Sequence, residues 1–289
     1  VSFTINEKVT IAKMLNAARV QYIEAGTPAM GYEEKKAVKE IIDLGLKSEI
    51  ITWNRALKSD VDHSLDIGAK NIHLSLPVSD LMIERKLGKS RSWVIAALSG
   101  ITRYAKGECV KISVGAEDAS RASDEFVLEY AMAAQECGAV RFRYCDTVGI
   151  MDPFTLYKKL EPIVNGLDID VEVHTHNDFG MATANALAGI KASARLVDTT
   201  VTGLGERAGN APLEEVVMAL KVIADIDTGI ETRMLKPLAD YISVAARRPL
   251  PDSKSIVGAK VFTHESGIHV DGVMNLSTPR WWEFRAPSP

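Results

Sequence analysis

The sequence predicts an α/β protein of the (β/α)8 TIM-barrel class that lacks its first strand, followed by a small C-terminal subdomain. Short apolar runs alternate with amphipathic stretches, which is typical of parallel strands joined by helices. Polar residues that could take part in catalysis or ligand binding fall at the carboxyl ends of different runs, where a barrel gathers its active site. A helical pattern precedes the first run, so the remaining strand of a closed barrel would have to precede Val1.

The elements follow one another in a regular order. Thr4 and Glu7 have the spacing of a capping box, which predicts the start of the opening helix. An open, doubly wound sheet would need no strand before that helix, whereas a closed barrel needs one. We therefore expect an N-terminal segment ahead of Val1. Strand-like runs lie at residues 22–28, 48–53, 71–77, 109–116, 140–147, 170–175 and 196–203, and helix-like stretches include residues 123–137, 153–165 and 181–194.

The pattern changes after Ile223. Residues 232–247 have the pattern of one helix, Pro249 and Pro251 break it, and a polar segment that contains His269 follows. We assign residues 1–222 to the barrel and residues 223–289 to a C-terminal subdomain. The segment around His269 has too little apolar content to fold alone, so we expect it to pack across a partner barrel in a homodimer.

The composition excludes several classes of partner. Hydrophobic residues make up 46% and charged residues 25% of the 289 residues, and the net charge of -4 gives no reason to expect nucleic acid as a partner. No apolar run approaches the ~18 residues that span a bilayer, so no membrane partner is expected. Three cysteines, an odd number at no metal-like spacing, predict reduced thiols in a cytoplasmic protein.

The strongest local motif contains His174 and His176. Side chains alternate along a strand, so both imidazoles should point to the same side, about 7 Å apart along the chain. Two such nitrogens can reach one cation, and they suit Zn, Mn, Fe or Co, or Mg if carboxylates help. Two hydrogen-bonded polar residues at a strand end would give the same spacing. A glycine-rich stretch at residues 203–210 is a weaker signal, typical of a phosphate-holding loop or of a flexible turn.

Four motifs in order resemble those of the isopropylmalate and homocitrate synthases. They are His174–Ala182, which begins HTHNDFG, the stretch GLGERAGN at residues 203–210, DTVG at residues 146–149 and HESGIH at residues 264–269. The resemblance covers residues 2 to about 272. The details IEAGTP at residues 23–28 and HNDFG at residues 176–180 are most similar to homocitrate synthases of the nitrogen-fixation type.

This resemblance implies roles for particular residues. His174 and His176 would bind a divalent metal (Mg, Mn, Zn, Fe or Co), with Asn210 as a further ligand or a group behind the ligands. Thr147 would hydrogen-bond a carboxylate of a 2-oxo acid. Glu117 would help orient the substrate or the acetyl-CoA chemistry.

Two histidines elsewhere also acquire expected roles from the resemblance. His73 matches a histidine near the oxo acid in the isopropylmalate branch, although it could equally be a core histidine. His269 would reach into the barrel of a partner subunit as an acid or base. The small molecules implied are acetyl-CoA as co-substrate and a 2-oxo acid.

The implied reaction is a metal-assisted condensation of acetyl-CoA with 2-oxoglutarate, giving homocitrate and CoA. The metal would polarise the ketone, a base would form the acetyl enolate, and water would hydrolyse the thioester. The alternatives are isopropylmalate or citramalate synthesis, a metal-dependent aldolase or lyase, and an inactive fragment. Two departures bear on activity. The arginine and acidic pair that the family carries on its first strand has no match, and Arg280 stands where the family has a tyrosine.

The choice of oxo acid has one clue, which is Arg143. Counting back by twos from Thr147 places Arg143 on the inward face of its strand. A buried arginine needs a partner, and Glu24 and Glu172 are candidates. One interpretation is a structural ion pair. The other is that Arg143 and Glu24 belong to the substrate pocket, where the arginine favours a dicarboxylic oxo acid.

Overall fold

Seven parallel strands form one sheet in the computed structural model, which describes residues 2–108, 110–261 and 263. Each strand pairs with the next strand along the chain, in the order β1 to β7. The predicted α/β fold class is therefore confirmed. The sheet is curled and TIM-barrel-like, and helices connect its strands. The strands are β1 Tyr22–Gly26, β2 Glu49–Arg55, β3 Asn71–Pro77, β4 Lys111–Glu117, β5 Arg141–Asp146, β6 Asp170–Thr175 and β7 Leu196–Asp198.

Helices follow the strands and cover the outer face of the sheet. The capping box is confirmed at the first helix, where Thr4 Oγ accepts from the Glu7 backbone N–H and Glu7 accepts from the Thr4 N–H. No helix in the described part of the chain is long and apolar enough to span a membrane. The helices are α1 Ile5–Ala17, α2 Tyr32–Asp43, α3 Lys58–Leu65, α4 Asp80–Met82, α5 Arg91–Gly107, α6 Asp124–Glu136, α7 Pro153–Asn165, α8 Ala182–Lys191, α9 Leu213–Val222 and α10 Leu235–Ala245.

The main apolar core lies between the sheet and the helices. Leu74, Val114, Phe142 and Val173, on four successive strands, are fully buried. α8 approaches β6 so closely that a Cβ on Gly189 would lie 2.6 Å from a Val173 methyl carbon. This packing fixes the middle of the sheet and therefore the side chains at its carboxyl edge.

A second apolar cluster joins the C-terminal part of the described chain to the rest. Ala18 after α1, Val217 of α9, Leu238 of α10 and Val257 pack together in it. In this cluster α10 shares a core with α1 and α9, and the domain boundary between residues 222 and 223 stays a prediction.

The last predicted strand is shorter than expected. The prediction was residues 196–203, whereas β7 ends at Asp198 and Val201–Gly203 form a 3-10 turn. Thr202 adopts a left-handed conformation, with φ of 61°, which is incompatible with an extended strand.

The sheet is open among the described residues, because β1 and β7 each pair on one side only. A groove of about 980 Å³ lies between these two edges. Its walls include Leu15 of α1 and Val217 of α9, and its floor includes Glu24 and Asp198. The groove therefore connects the interior of the sheet with solvent from the side.

Candidate active site

A histidine pair lies at the carboxyl end of β6. His174 is within the strand and His176 follows it directly. Their Nε2 atoms are 3.0 Å apart and their ring centroids are 4.7 Å apart, so the two imidazoles lie on the same side of the chain. Burial, then His174 and Arg207, lowers the pKa of His176 to about 4, so its ring is neutral at neutral pH. A neutral imidazole is the form that binds a metal.

Asn210 lies beside this pair. An isolated antiparallel bridge joins its backbone to that of His176. Its side-chain Oδ1 is buried and has no hydrogen-bond partner among the described residues. Gly205 makes room for this amide, because a Cβ there would lie 2.7 Å from Asn210 Nδ2. The glycine-rich stretch therefore acts here as a tight turn that presents Asn210.

The donor set can be tested against the divalent cation that the resemblance implies. Two imidazole nitrogens and an amide oxygen without a partner suit such an ion. The described residues contain no cluster of three or more His, Cys, Asp or Glu side chains arranged for a metal. The residues present fit the cation through neutral donors, and the metal role of His174, His176 and Asn210 stays a prediction.

Asp198 lies behind His174. Its Oδ2 is 2.9 Å from His174 Nδ1, although the contact lacks the alignment of a regular hydrogen bond. The same oxygen is 3.3 Å from an Arg143 guanidinium nitrogen. Burial acts to raise the pKa of Asp198, but Arg143 and His174 outweigh it and hold this pKa well below its usual range. The carboxylate is therefore ionised.

Arg143 points into the sheet interior, as strand alternation predicts. Its guanidinium lies 2.9 Å from Glu24, 3.0 Å from Glu172 and 3.3 Å from Asp198. Only 5% of the arginine side chain is exposed. Three carboxylates thus surround one guanidinium, and this geometry favours the structural interpretation of Arg143 and Glu24 over a free pocket charge.

Thr147 follows β5 and is held from two directions. Its hydroxyl oxygen accepts from the Asp118 backbone N–H at 2.8 Å, and its carbonyl accepts from Arg207 at 2.7 Å. Asp118 is buried and left-handed, with φ of 63°, and its carboxylate binds Ser79 and Arg121. Because the hydroxyl oxygen accepts from a backbone donor, its own proton is free to be donated to a ligand.

Arg207 ties the loops after β5, β6 and β7 together. Besides the Thr147 carbonyl, it binds both carboxylate oxygens of Asp178, at 2.8 and 2.9 Å. Gly149 faces Asp178 so closely that a Cβ there would overlap with the carboxylate. Sequence reasoning assigned no role to Arg207, although it lies within the glycine-rich stretch at residues 203–210, or to Asp198, which lies in the predicted strand at residues 196–203.

Glu117 and His73 occupy different surroundings. Glu117, at the end of β4, forms an ion pair with Lys86 at 2.6 Å and is partly exposed. His73 is buried, with Nδ1 2.8 Å from Ser113 Oγ, and burial followed by Arg143 lowers its pKa well below the usual range. A Cβ on Gly115 would lie 2.6 Å from His73 Nε2, so that glycine leaves space for the ring. His269 lies outside the described residues.

The parallel sheet, with imidazoles and a polar turn at its carboxyl edge, defines an enzyme with a TIM-barrel-like fold. The chain belongs to the HMGL-like family, whose model matches residues 1–242. It is 52% identical over 287 residues to 2-isopropylmalate synthase 2 of Caldanaerobacter subterraneus subsp. tengcongensis, covering 99% of this chain and 74% of the relative. It is 50% identical over 287 residues to homocitrate synthase 1 of a Nostoc species, covering 99% of this chain and 76% of that relative.

The fold has close parallels among solved structures. The HMG-CoA lyase of Bacillus subtilis superposes with a TM-score of 0.78, covering 87% of this chain and 90% of the lyase, at 20% sequence identity. At that identity the likeness concerns the fold alone. The two sequence relatives above are named as synthases, and the predicted membership in the isopropylmalate and homocitrate synthase group is confirmed.

Proposed function

We propose that this enzyme condenses acetyl-CoA with a 2-oxo acid and that the oxo acid is 2-oxoglutarate, giving homocitrate and CoA. The observation that carries the proposal is the histidine pair, with Nε2 atoms 3.0 Å apart next to a buried amide oxygen that has no partner. Such a site suits a cation that binds a ketone and its adjacent carboxylate. Further parts of the proposal are a cytoplasmic homodimer and the nitrogen-fixation type of homocitrate synthase.

The residues of the chain would divide the work as follows. His174, His176 and Asn210 would hold a divalent cation, which when bound supplies Lewis-acid polarisation of the ketone. Thr147 would donate its free hydroxyl proton to the oxo acid carboxylate. Glu117 would orient the acetyl group.

The reaction balances with water as the one reagent besides acetyl-CoA and the oxo acid. A base, for which we propose His269, takes a proton from the acetyl methyl group, and the resulting carbon attacks the ketone carbon. The former ketone oxygen gains a proton and becomes a hydroxyl. Water then cleaves the thioester and releases CoA.

Isopropylmalate synthesis is a second candidate. It is favoured by the 52% identity to an enzyme of that name, which is close to the 50% identity to a homocitrate synthase. The interior of the sheet argues for a dicarboxylic substrate only if Arg143 can release one of its three carboxylates. A lyase or aldolase would share the fold but would cleave the product rather than form it.

The deciding experiment measures CoA release by the full chain with acetyl-CoA and, in turn, 2-oxoglutarate, 2-oxoisovalerate and pyruvate. We expect 2-oxoglutarate to give the highest kcat/KM. A preference for 2-oxoisovalerate would select the second candidate. No release with any oxo acid, together with cleavage of homocitrate or isopropylmalate, would replace synthesis with lyase chemistry.

The role of Arg143 is tested with Arg143→Leu on the same substrates. Arg195→Leu serves as the control, because that arginine is 77% exposed and pairs with Asp170. A loss confined to 2-oxoglutarate, with the melting temperature kept, would assign Arg143 to the pocket. We expect instead a loss on all substrates and a lower melting temperature, since unpairing a buried ion cluster costs about 3–5 kcal/mol.

A further inference from the structure

The histidine pair has an electrostatic requirement of its own. An imidazole in its neutral form carries one N–H and one lone pair, and the two Nε2 atoms are 3.0 Å apart. Two lone pairs at that distance repel each other, so a proton or a cation must lie between them. Which nitrogen of each ring carries its proton therefore decides whether the pair can accept a cation.

The surroundings of His174 Nδ1 indicate which nitrogen of this ring carries the proton. Register pairs His174 of β6 directly with Asp198 of β7, which brings the carboxylate Oδ2 to 2.9 Å from His174 Nδ1. An ionised carboxylate oxygen carries only lone pairs, so a proton on Nδ1 is the arrangement that stabilises this contact, although the alignment is not that of a regular hydrogen bond. In the neutral ring, a proton on Nδ1 leaves the lone pair on Nε2, which lies 3.0 Å from His176 Nε2.

The position of Asp198 is itself fixed by its neighbours. Arg143 contacts the same carboxylate oxygen at 3.3 Å and also contacts Glu172 at 3.0 Å. The arginine side chain is only 5% exposed, so it cannot leave easily for solvent. This arrangement keeps Asp198 beside His174 although β7 is only three residues long.

We propose that Asp198 is a positioning residue, which fixes His174 as the Nδ1–H tautomer and thereby presents the Nε2 lone pair to a divalent cation. The inference deepens the proposed function, because it rests on His174 being a metal ligand. Arg143 then acts on the site through Asp198, in addition to its structural role. Carboxylates behind a ligand histidine generally set the ring orientation and the basicity of the ligand nitrogen.

The first test is the tautomer of His174 in the metal-free full chain, read from long-range 15N–1H correlations of 15N-histidine-labelled protein. His174→Gln assigns the signal. We expect a protonated Nδ1 and an unprotonated Nε2 in the unaltered protein, and loss of this preference in Asp198→Ala. A protonated Nε2 in the unaltered protein, or an unchanged tautomer in Asp198→Ala, would overturn the proposal.

The second test is the affinity for Zn²⁺ or Co²⁺ alone, measured by calorimetry without substrate. Asp198→Ala should weaken binding about 10–100-fold. The affinity of Asp198→Asn, which retains a neutral acceptor, should lie between those of the unaltered protein and Asp198→Ala. Asp170→Ala is the matched control, because Asp170 lies at the opposite end of β6 and pairs with exposed Arg195. Equal weakening by Asp170→Ala would mean that the loss reflects folding, and the proposal would fail.

A variant that does not fold would still leave the proposal testable. The tautomer of the unaltered protein decides it alone, and Asp198→Asn keeps the size of the side chain. The two proposals can also fail separately. If no oxo acid reacts but the tautomer and metal results hold, the proposed function falls while the role of Asp198 stands.

Discussion

The middle of the sheet and its two edges differ in how they are held. Leu74 and Val173, in the middle, are fully buried beneath helices. At the edges, Glu24 of β1 and Asp198 of β7 keep 29% and 23% of their side chains exposed to the groove. β7 has three residues, and all of them are only partly buried. Apolar packing holds the middle strands, and at the edges ion pairs with Arg143 add to the apolar contacts of Ile23 and Val197.

This difference shows how the fold separates stability from chemistry. Charged groups are costly in a sealed apolar interior unless they are paired, and Arg143 is paired there with Glu172 and with the edge residues Glu24 and Asp198. The edge strands supply Asp198, and the packed middle supplies the backbone on which His174 is fixed. We expect substitutions in the middle to reduce stability and those at the edges to change the site.

The largest contrast should come from one leucine in each region. Leu74→Ala removes a fully buried side chain from β3, and we expect it to lower the free energy of unfolding by about 2–5 kcal/mol. Leu196→Ala on β7, where the side chain is partly exposed, should cost clearly less. Urea unfolding followed by circular dichroism measures both. Equal losses would show that the edge is packed as tightly as the middle.

A smaller contrast tests how closely the helices press on the sheet. In Gly189→Ala the new methyl group would crowd Val173, and we expect a cost of about 1–3 kcal/mol. Gly100→Ala in α5 is the control, because a Cβ there meets nothing within 4 Å. It should stabilise the protein by up to about 1 kcal/mol, since alanine favours helix. Thermal melts should show a lower melting temperature for Gly189→Ala and an equal or higher one for Gly100→Ala. A shift in the same direction for both would contradict the prediction.

The smallest expected effect is a pH dependence of stability that arises from Glu214 of α9, the helix after β7. Burial raises the pKa of Glu214 above the ordinary value of 4.5, although it accepts from the Thr202 N–H at 2.9 Å. In the window above 4.5 the folded state binds this proton more tightly than the unfolded state, so stability should fall as pH rises. Glu214→Gln should flatten that fall. The free energy of unfolding is measured at several pH values in this window for both proteins. The same dependence on pH in both would rule out the effect.

Local patterns predicted much of this molecule because their causes are local. The capping box of Thr4 and Glu7 and the shared side of His174 and His176 depend only on helical or strand geometry. Most strands were placed within two residues for the same reason, while β7 was drawn too long because a left-handed Thr202 is not visible in composition.

The partners that define the site were not predictable in this way. Asp198 meets His174 through the register of β6 against β7, and Arg207 meets Thr147 across two loops. Such contacts depend on how distant segments align, and no spacing within one segment encodes them. The prediction that Arg143 faces inward was local, and its partner Glu24 was named correctly, but the third carboxylate on Arg143 was not foreseen.

The strict neighbour order of the strands bears on how the chain acquires its shape. Because β1 to β7 pair only with the next strand in sequence, every pairing forms from segments that emerge consecutively during synthesis. Entropy lost in closing a loop grows with loop length, so each new strand adds at modest cost to the sheet already formed. The histidine pair on β6 and its aspartate on β7 are thus expected to assemble late, on a scaffold that earlier strands have already fixed.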